Sequence, residues 1–329
     1  MAQELLMGVD IGTGESKGVL CDAKGNIVAQ GRQKHGMEMP RPGWYEHDVE
    51  AVWWGDFVKL ARELLAASGA RPADILGISV SGLGQDVISV DKDGRPTRRT
   101  AILYGIDIRA NEEMEEMNRR LGRENILRRT ANGISTHSVG PKIAWLRKHD
   151  RQAFDRADRF LTASSYLVAK LTGRFVLDHN QASFWVPLYD FEKRRWNEEF
   201  CREYLRVDQL AELKWQHEIA GHVTAQAARE TGLAEGTPVC VGTGDAFAES
   251  LSVGALSPGN AMVMYGSTTC IFMPVETIKP DYNIWSYQSF DPGKYGISMC
   301  TATSGSITKW FRQMVLPEMA EDEAYTILS

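Results

Sequence analysis

The most constraining feature of the sequence is a glycine turn set between two strands near the start of the chain. Residues 5–11 form an apolar run of strand character that ends at Gly12-Thr13-Gly14, and residues 17–21 read as the next strand. A chain that turns back at this point places no helix N-terminus behind the glycines. The dinucleotide-binding fingerprint needs one, because the pyrophosphate sits on that helix end. No G-x-x-x-x-G-K-[ST] occurs, which excludes a P-loop. Gly77-Ile78-Ser79-Val80-Ser81 lacks the closing glycine of a nucleophile elbow, so a serine hydrolase is disfavoured. What remains is a turn with Asp10 before it and Ser16 and Lys17 after it. Two readings stand level. In one, backbone N–H groups and the Thr13 and Ser16 hydroxyls face phosphate oxygens while Asp10 holds Mg²⁺. In the other it is a plain glycine-rich hairpin with a turn-capping Asp.

Further along, Gly25-Asn26 marks a hairpin into a third strand at 27–32. Asp48 caps an amphipathic helix with Val49, Val52, Trp53, Phe57, Leu60, Leu64 and Leu65 on one face. A strand at 75–80 leads to the loop Gly82-Leu83-Gly84-Gln85-Asp86, and another is expected at 87–90. The middle is helical: a charged, solvated helix over 109–121, then helices over 139–149 and 164–171. From Pro238 the order is strand (239–241), the loop Gly242-Thr243-Gly244-Asp245, helix (246–253), strand (261–265), the turn Gly266-Ser267-Thr268-Thr269, and strand (270–273). Asp245 is either a helix N-cap or a general base presented into a cleft, where glycines allow close approach. The hydroxyls after Gly266 are either an ordinary polar turn or a second set of phosphate donors. Segments 7–13 and 262–268 echo each other, and chance explains the echo as well as duplication does.

The 329 residues suggest about two domains. With 37 Lys and Arg against 43 Asp and Glu, a net charge of −6 gives no electrostatic reason to seek nucleic acid or anionic membrane. No apolar run approaches the roughly 18 residues of a membrane helix. Glu4 stands where a signal peptide would be basic, so a cytoplasmic protein is expected. Cys21, Cys201, Cys240, Cys270 and Cys300 are scattered and form no C-x-x-C pair; reduced thiols, without disulfide or metal role, are expected.

Two strand–glycine–hydroxyl turns with a G-x-G-D loop before the second form the pattern of the actin-like ATPase superfamily. Together with Pro42-Gly43-Trp44-Tyr45-Glu46-His47-Asp48, Tyr104-Gly105-Ile106-Asp107-Ile108-Arg109, Lys142-Ile143-Ala144-Trp145-Leu146 and Ser257-Pro258-Gly259, they make the sequence resemble the FGGY family of carbohydrate kinases, nearest its xylulokinase-like members. The resemblance implies an α/β fold with a ribonuclease H-like, sugar-binding N-terminal domain over 1–254. The incomplete start of a similar, ATP-binding domain follows over 255–329. It implies ATP and Mg²⁺, with Asp245 taking the proton of the attacking sugar hydroxyl. Asp10 would face the metal. Gly12, Thr13, Gly14, Ser16 and Lys17 would meet the phosphates from one side, and Gly266, Ser267 and Thr268 from the other. Gly84, Gln85, Asp86, Tyr104, Asp107 and Arg109 would grip the sugar, with Trp44 and His47 as weaker candidates. The implied substrate is D-xylulose or a related ketopentose or polyol; gluconate, ribulose, glycerol and signalling molecules stay open. Homodimers are common in the family, although no self-complementary apolar stripe demands one here.

Three departures stand out. Gly84-Gln85 replaces the Met-His pair usual in xylulokinases. Glu15 replaces a small residue and is expected to point outward. The chain stops after the Trp310 helix, before the family's adenine-holding glycine segment, so sugar binding without competent ATP binding is expected of the chain as given. Two other classes are an actin-like ATPase that remodels partners and a non-catalytic sugar-binding protein. Sugar-stimulated turnover separates them from a kinase.

Overall fold

The computed structural model describes residues 4–265, 269–301 and 304–328, so the expected phosphate turn at Gly266, Ser267 and Thr268 lies outside the described residues. Its centre is a seven-stranded sheet. Strands β1 (Leu5–Ile11), β2 (Glu15–Asp22) and β3 (Ile27–Lys34) run antiparallel in sequence. Strand β4 (Ile75–Gly82) then pairs parallel with β1, and β5 (Ile219–His222), β6 (Pro238–Cys240) and the short β7 (Thr243–Gly244) complete the order β5-β6-β4-β1-β2-β3, with β7 also on β4. An antiparallel hairpin unit joined to parallel strands is the ribonuclease H-like arrangement that the sequence implied.

The Gly25 turn closes as expected, its N–H donating to the Asp22 carbonyl at 3.0 Å. Asp48 is the expected cap, accepting the N–H groups of Glu50 and Ala51, but what it caps is a π-helical turn at Val49–Trp54 that runs into helix α1 (Gly55–Ser68). Helix α1 buries Phe57, Leu60, Ala61 and Leu64 on the sheet. The approach is close because β2 and β3 carry glycine beneath it: a Cβ at Gly18 would lie 3.0 Å from Leu64, and one at Gly31 would lie 3.1 Å from Leu60. The charged helix α2 (Asn111–Leu121) buries only Glu113 and Met117, as its composition predicted. Helices α3 (Val139–His149) and α4 (Ala163–Thr172) are mostly core, α4 beginning at a Thr162/Ser165 capping box and ending at Gly173.

A second, four-stranded antiparallel sheet follows: β8 (Met262–Tyr265), β9 (Thr269–Val275), β10 (Trp285–Gln288) and β11 (Tyr295–Thr301), in the order β8-β9-β11-β10. Its edge strand β10 is pinned to the first unit by side chains. Asn132 gives its amide to the Ser286 carbonyl at 2.8 Å and accepts the Ser286 N–H at 2.7 Å, while Asn180 donates to the Gln288 carbonyl at 2.8 Å. The cysteine expectation needs correction here. Cys270 and Cys300 stand directly opposite on β9 and β11 and form a disulfide; Cys21, Cys201 and Cys240 are free thiols. Spacing alone hid the pair, because strand register brought together two residues 30 positions apart. Among the described residues, no helix is long and apolar enough to cross a membrane.

Candidate active site

The turn between β1 and β2 is tight. The Gly12 N–H donates to the Glu15 carbonyl at 3.2 Å, and a Cβ on Gly12 would sit 2.7 Å from that oxygen, so only glycine fits. At its tip the Thr13 hydroxyl meets the Tyr104 hydroxyl at 3.1 Å.

Beside this tip lies a cavity of about 220 Å³ lined by, among others, Thr13, Gln85, Tyr104, His137, Asp245 and Trp285. Its wall is partly aromatic: the His137 and Trp285 rings lie 4.7 Å apart, and Tyr104 faces His137 at 6.4 Å. Gly105 makes room, since a Cβ there would fall 2.2 Å from His137 Nε2. Burial, reinforced by the nearby Lys142 charge, pulls His137 down to about 4, so its ring is neutral. The loop after β4 carries Gln85 in a left-handed conformation, φ 72°. That conformation is costly for a non-glycine residue. Lys142 holds it in place from behind, donating to the Gln85 carbonyl at 3.0 Å and the Thr136 carbonyl at 2.8 Å. Lys142 is fully buried and drawn down to about 7 by burial, against the pull of Asp107 and Asp86. Burial likewise pushes the Asp86 carboxyl well up, although the Ala163 N–H at 3.2 Å and Lys142 favour its charge.

Asp245 opens helix α5 (Asp245–Ser252) on the cavity wall. Gly242 is required at the bend before it: φ is +74°, and a Cβ would lie 2.2 Å from the Val80 carbonyl oxygen. Thr243 anchors the next residue pair by donating its hydroxyl to the buried Asp178 at 3.1 Å. Burial raises the Asp245 carboxyl to about 7, and the neighbouring Asp10 and Glu249 charges add to the rise; the Ala246 N–H, at 2.7 Å, works against it. A carboxyl poised near neutrality is suited to accept a proton. Asp10 is also raised by burial, while the Ser81 hydroxyl at 2.8 Å and the Lys17 charge oppose the shift. Asp10 and Lys17 border a larger cavity of about 560 Å³ on the open side of the sheet. No three His, Cys, Asp or Glu side chains form a metal cage among the described residues. A lone Asp10 still fits Mg²⁺, which takes one or two carboxylates and completes its shell with phosphate oxygens and water.

Of the candidates read from the sequence, Thr13, Gly84, Gln85, Tyr104 and Asp245 share the smaller cavity, and Asp10 and Lys17 the larger. Others lie elsewhere. Strand alternation turns the Ser16 side chain toward α1, where its hydroxyl donates to Asp56 at 2.9 Å, so it faces away from Lys17 and lines neither cavity. Asp107 and Arg109 are occupied within the wall. The Arg109 guanidinium, buried between Trp44 and Trp145, bonds Asp107 at 2.7 Å and Glu46 at 2.6 Å, and Asp107 also accepts the Tyr45 N–H. Trp44 is therefore a partner of Arg109, and His47 sits behind Thr13. Glu15 turns aside to Arg32 at 3.6 Å. His137, Phe184, Phe247 and Trp285 were not anticipated, since a loop, helix α5 and the second sheet contribute them from distant positions.

The family model "FGGY family of carbohydrate kinases, N-terminal domain" matches residues 5–252. A glycerol kinase of Nocardia farcinica is 27% identical over 316 residues, covering 92% of this chain and 61% of that protein. An autoinducer-2 kinase of Yersinia enterocolitica is 27% identical over 327 residues, covering 96% and 60%. The crystal structure of xylulose kinase from Rhodospirillum rubrum superposes with a TM-score of 0.92 at 28% identity, over 98% of this chain and 66% of that one. The chain thus spans about three-fifths of the length of these curated relatives. Fold, turn geometry and comparisons converge: the chain belongs to the FGGY family of carbohydrate kinases.

Proposed function

We propose that the chain carries the sugar-binding part, and the first portion of the ATP-binding part, of an ATP-dependent kinase for a neutral sugar or polyol, divided near residues 254 and 255. The observation that carries this reading is the position of Asp245, an acid raised to about 7 on the wall of a cavity that also holds Thr13 of the glycine turn, Gln85 and Tyr104. Asp245 accepts the proton of the substrate hydroxyl as that oxygen attacks the γ-phosphorus of ATP and the bond to the bridging oxygen breaks, with ADP leaving. Gly12, Thr13, Gly14 and Lys17 meet the transferred phosphoryl group from one side, and Gly266, Ser267 and Thr268 from the other. Mg²⁺, when held at Asp10, neutralises phosphate charge. Gln85 and Tyr104 pair substrate hydroxyls, and the His137 and Trp285 rings cover the carbon skeleton.

No Lys or Arg lines the smaller cavity among the described residues. Lys142 is committed to two carbonyls, and Arg109 to Asp107 and Glu46. A sugar acid such as gluconate would bring a carboxylate to a wall without a cation, so a neutral ketose or polyol, D-xylulose or glycerol among them, is favoured.

The test is the thermal transition of the chain with D-xylulose, L-ribulose, glycerol, gluconate or no addition. A ligand that binds only the folded state, present at a hundred times its Kd, stabilises by about 2.7 kcal/mol. A shift with one neutral sugar, retained in Asp245→Asn while phosphoryl transfer by the full-length protein is lost, is the expected result. A cooperative transition that no sugar moves, or an Asp245→Asn enzyme that still turns over, refutes the reading.

A further inference from the structure

The glycine turn is held from behind by two enclosed histidines that no role described above uses. His47 is fully buried and His35 is 7% exposed at its side chain; their rings lie edge to face, 5.0 Å apart. The indole N–H of Trp53 can only donate, and it points at His47 Nδ1 at 3.2 Å. His47 therefore carries its hydrogen on Nε2 and donates it to the Thr13 carbonyl at 3.0 Å. Burial, helped by His35, draws His47 down to about 4, so this single-hydrogen ring persists at neutrality.

His35 meets acceptors on both sides. Its Nε2 faces the Gly12 carbonyl at 3.1 Å, and its Nδ1 faces Asp56 Oδ2 at 2.9 Å, the oxygen that also receives the Ser16 hydroxyl. A carbonyl and a carboxylate can only accept, so each of these contacts is made through a ring N–H, and the ring bridges the turn to Asp56. Lys59, 3.5 Å from the other Asp56 oxygen, and His47 are the remaining ionisable groups in contact with this pair, and Glu38 lies within electrostatic range of His47. The His35 backbone N–H adds a third bond, to the Gly14 carbonyl at 3.1 Å.

Three successive carbonyls of the turn, those of Gly12, Thr13 and Gly14, thus point at the histidines. In a trans peptide the N–H lies on the side opposite the carbonyl, so the N–H groups of Thr13 and Gly14 face the other way. Neither is engaged by a backbone carbonyl among the described residues. A free turn of this kind would rotate its peptides easily, since glycine at both ends imposes little restraint.

We propose that His35 and His47 are positioning residues that fix the peptide orientation of the Gly12–Gly14 turn so that its N–H groups meet the phosphoryl group. This rests on the reading of that turn as phosphate-binding. Their action is indirect, since neither ring lines the cavities beside the turn.

The test uses the native chain with ¹⁵N-labelled histidine and amides. The ring spectra should show His47 with hydrogen on Nε2 alone. Tripolyphosphate, used as the probe, should move the Thr13 and Gly14 amide resonances. His47→Gln can still donate to the Thr13 carbonyl and accept from Trp53, so it should bind the probe as the native chain does. His47→Phe keeps the bulk and loses the donor, and should bind about tenfold more weakly. A His47 ring with its hydrogen on Nδ1, or a His47→Phe chain that binds like the native one, overturns the proposal while leaving the phosphate reading intact. A native chain whose turn ignores tripolyphosphate overturns both.

Discussion

Asp178 offers a measurement in which burial and hydrogen bonding oppose each other and the arithmetic decides. The residue is fully buried and accepts three hydrogen bonds: from the Gln181 N–H at 3.0 Å, the Gln181 side-chain amide at 2.6 Å and the Thr243 hydroxyl at 3.1 Å. Each favours the carboxylate, yet burial wins and the carboxyl is raised from 3.8 to about 6. The sign follows directly. Below pH 4 the acid is protonated in both folded and unfolded chains and has no effect. Between pH 4 and 6 the unfolded chain ionises first, so stability is lost as pH rises; above pH 6 the loss is complete. A rise from 3.8 to about 6 corresponds to about 3 kcal/mol. Asp178→Asn removes this cost. Its carbonyl oxygen still accepts from Gln181 N–H and Thr243, and a flipped Gln181 amide can accept from the new NH₂. That flip leaves a buried Gln181 donor where an unpaired Gln181 oxygen now stands, which returns part of the gain. The expected result is a variant more stable by about 2 kcal/mol at pH 8, an advantage that is lost as pH falls to 4 and becomes a deficit of up to about 1 kcal/mol below it, where only the unpaired Gln181 donor still counts. Thermal unfolding of both proteins from pH 4 to 8 measures it. A gain that does not depend on pH, or a variant less stable at pH 8, refutes the reasoning that burial dominates at this site.

Lys142→Met leaves the Gln85 and Thr136 carbonyls without their donor; it should cost about 2–3 kcal/mol in urea unfolding and abolish the sugar-induced thermal shift. Gly242→Ala places a Cβ against the Val80 carbonyl oxygen at a positive φ, and loss of soluble, cooperatively folding protein is the expected outcome. Gly105→Ala should displace the His137 ring from the cavity wall. Sugar binding, followed by calorimetry, should then fall much further than the melting temperature, since the ring packs on an open cavity.

The sequence made the sheet legible where a local rule operates. Gly25 closes a hairpin and Asp48 caps a helical turn, each through contacts within a few residues. The three-residue strands Thr100–Ile102 and Arg159–Leu161 escaped because a run that short carries no period. At the site, β2 was expected from residue 17 but begins at Glu15, so Ser16 lies inside the strand and faces the opposite way from Lys17. The family resemblance implies Asp107 and Arg109 as sugar ligands, whereas the structure pairs them with each other. Only the fold reveals that Glu46, 63 positions from Arg109, completes their pairing. The cavity aromatics and the Cys270–Cys300 pair depend on the packing and register of distant strands, and no local pattern encodes that.

The distribution of charge explains why polar residues misled in this way. Around the smaller cavity, Lys142, Arg109, Glu46, Asp86 and Asp107 are buried behind the surface, while the residues that line the space are mostly aromatic, apolar, hydroxyl or amide, with Asp245 as the carboxylate among them. A charge enclosed in protein must be matched by partners, and matched charges hold their neighbours in one geometry; that makes them suitable as a frame. A neutral substrate gains nothing from meeting them directly, but it does gain from hydroxyls and amides whose positions are fixed, because less ordering remains to be done on binding. Substitutions in the frame should therefore move stability and affinity together, as at Lys142. Substitutions on the face, at Gln85 or Tyr104, should change which sugar is accepted with little effect on unfolding. Gln85 belongs to both groups: its carbonyl is held by the frame and its side chain is offered to the cavity. Substitution of the Gln85 side chain is therefore expected to change substrate choice without rebuilding the site.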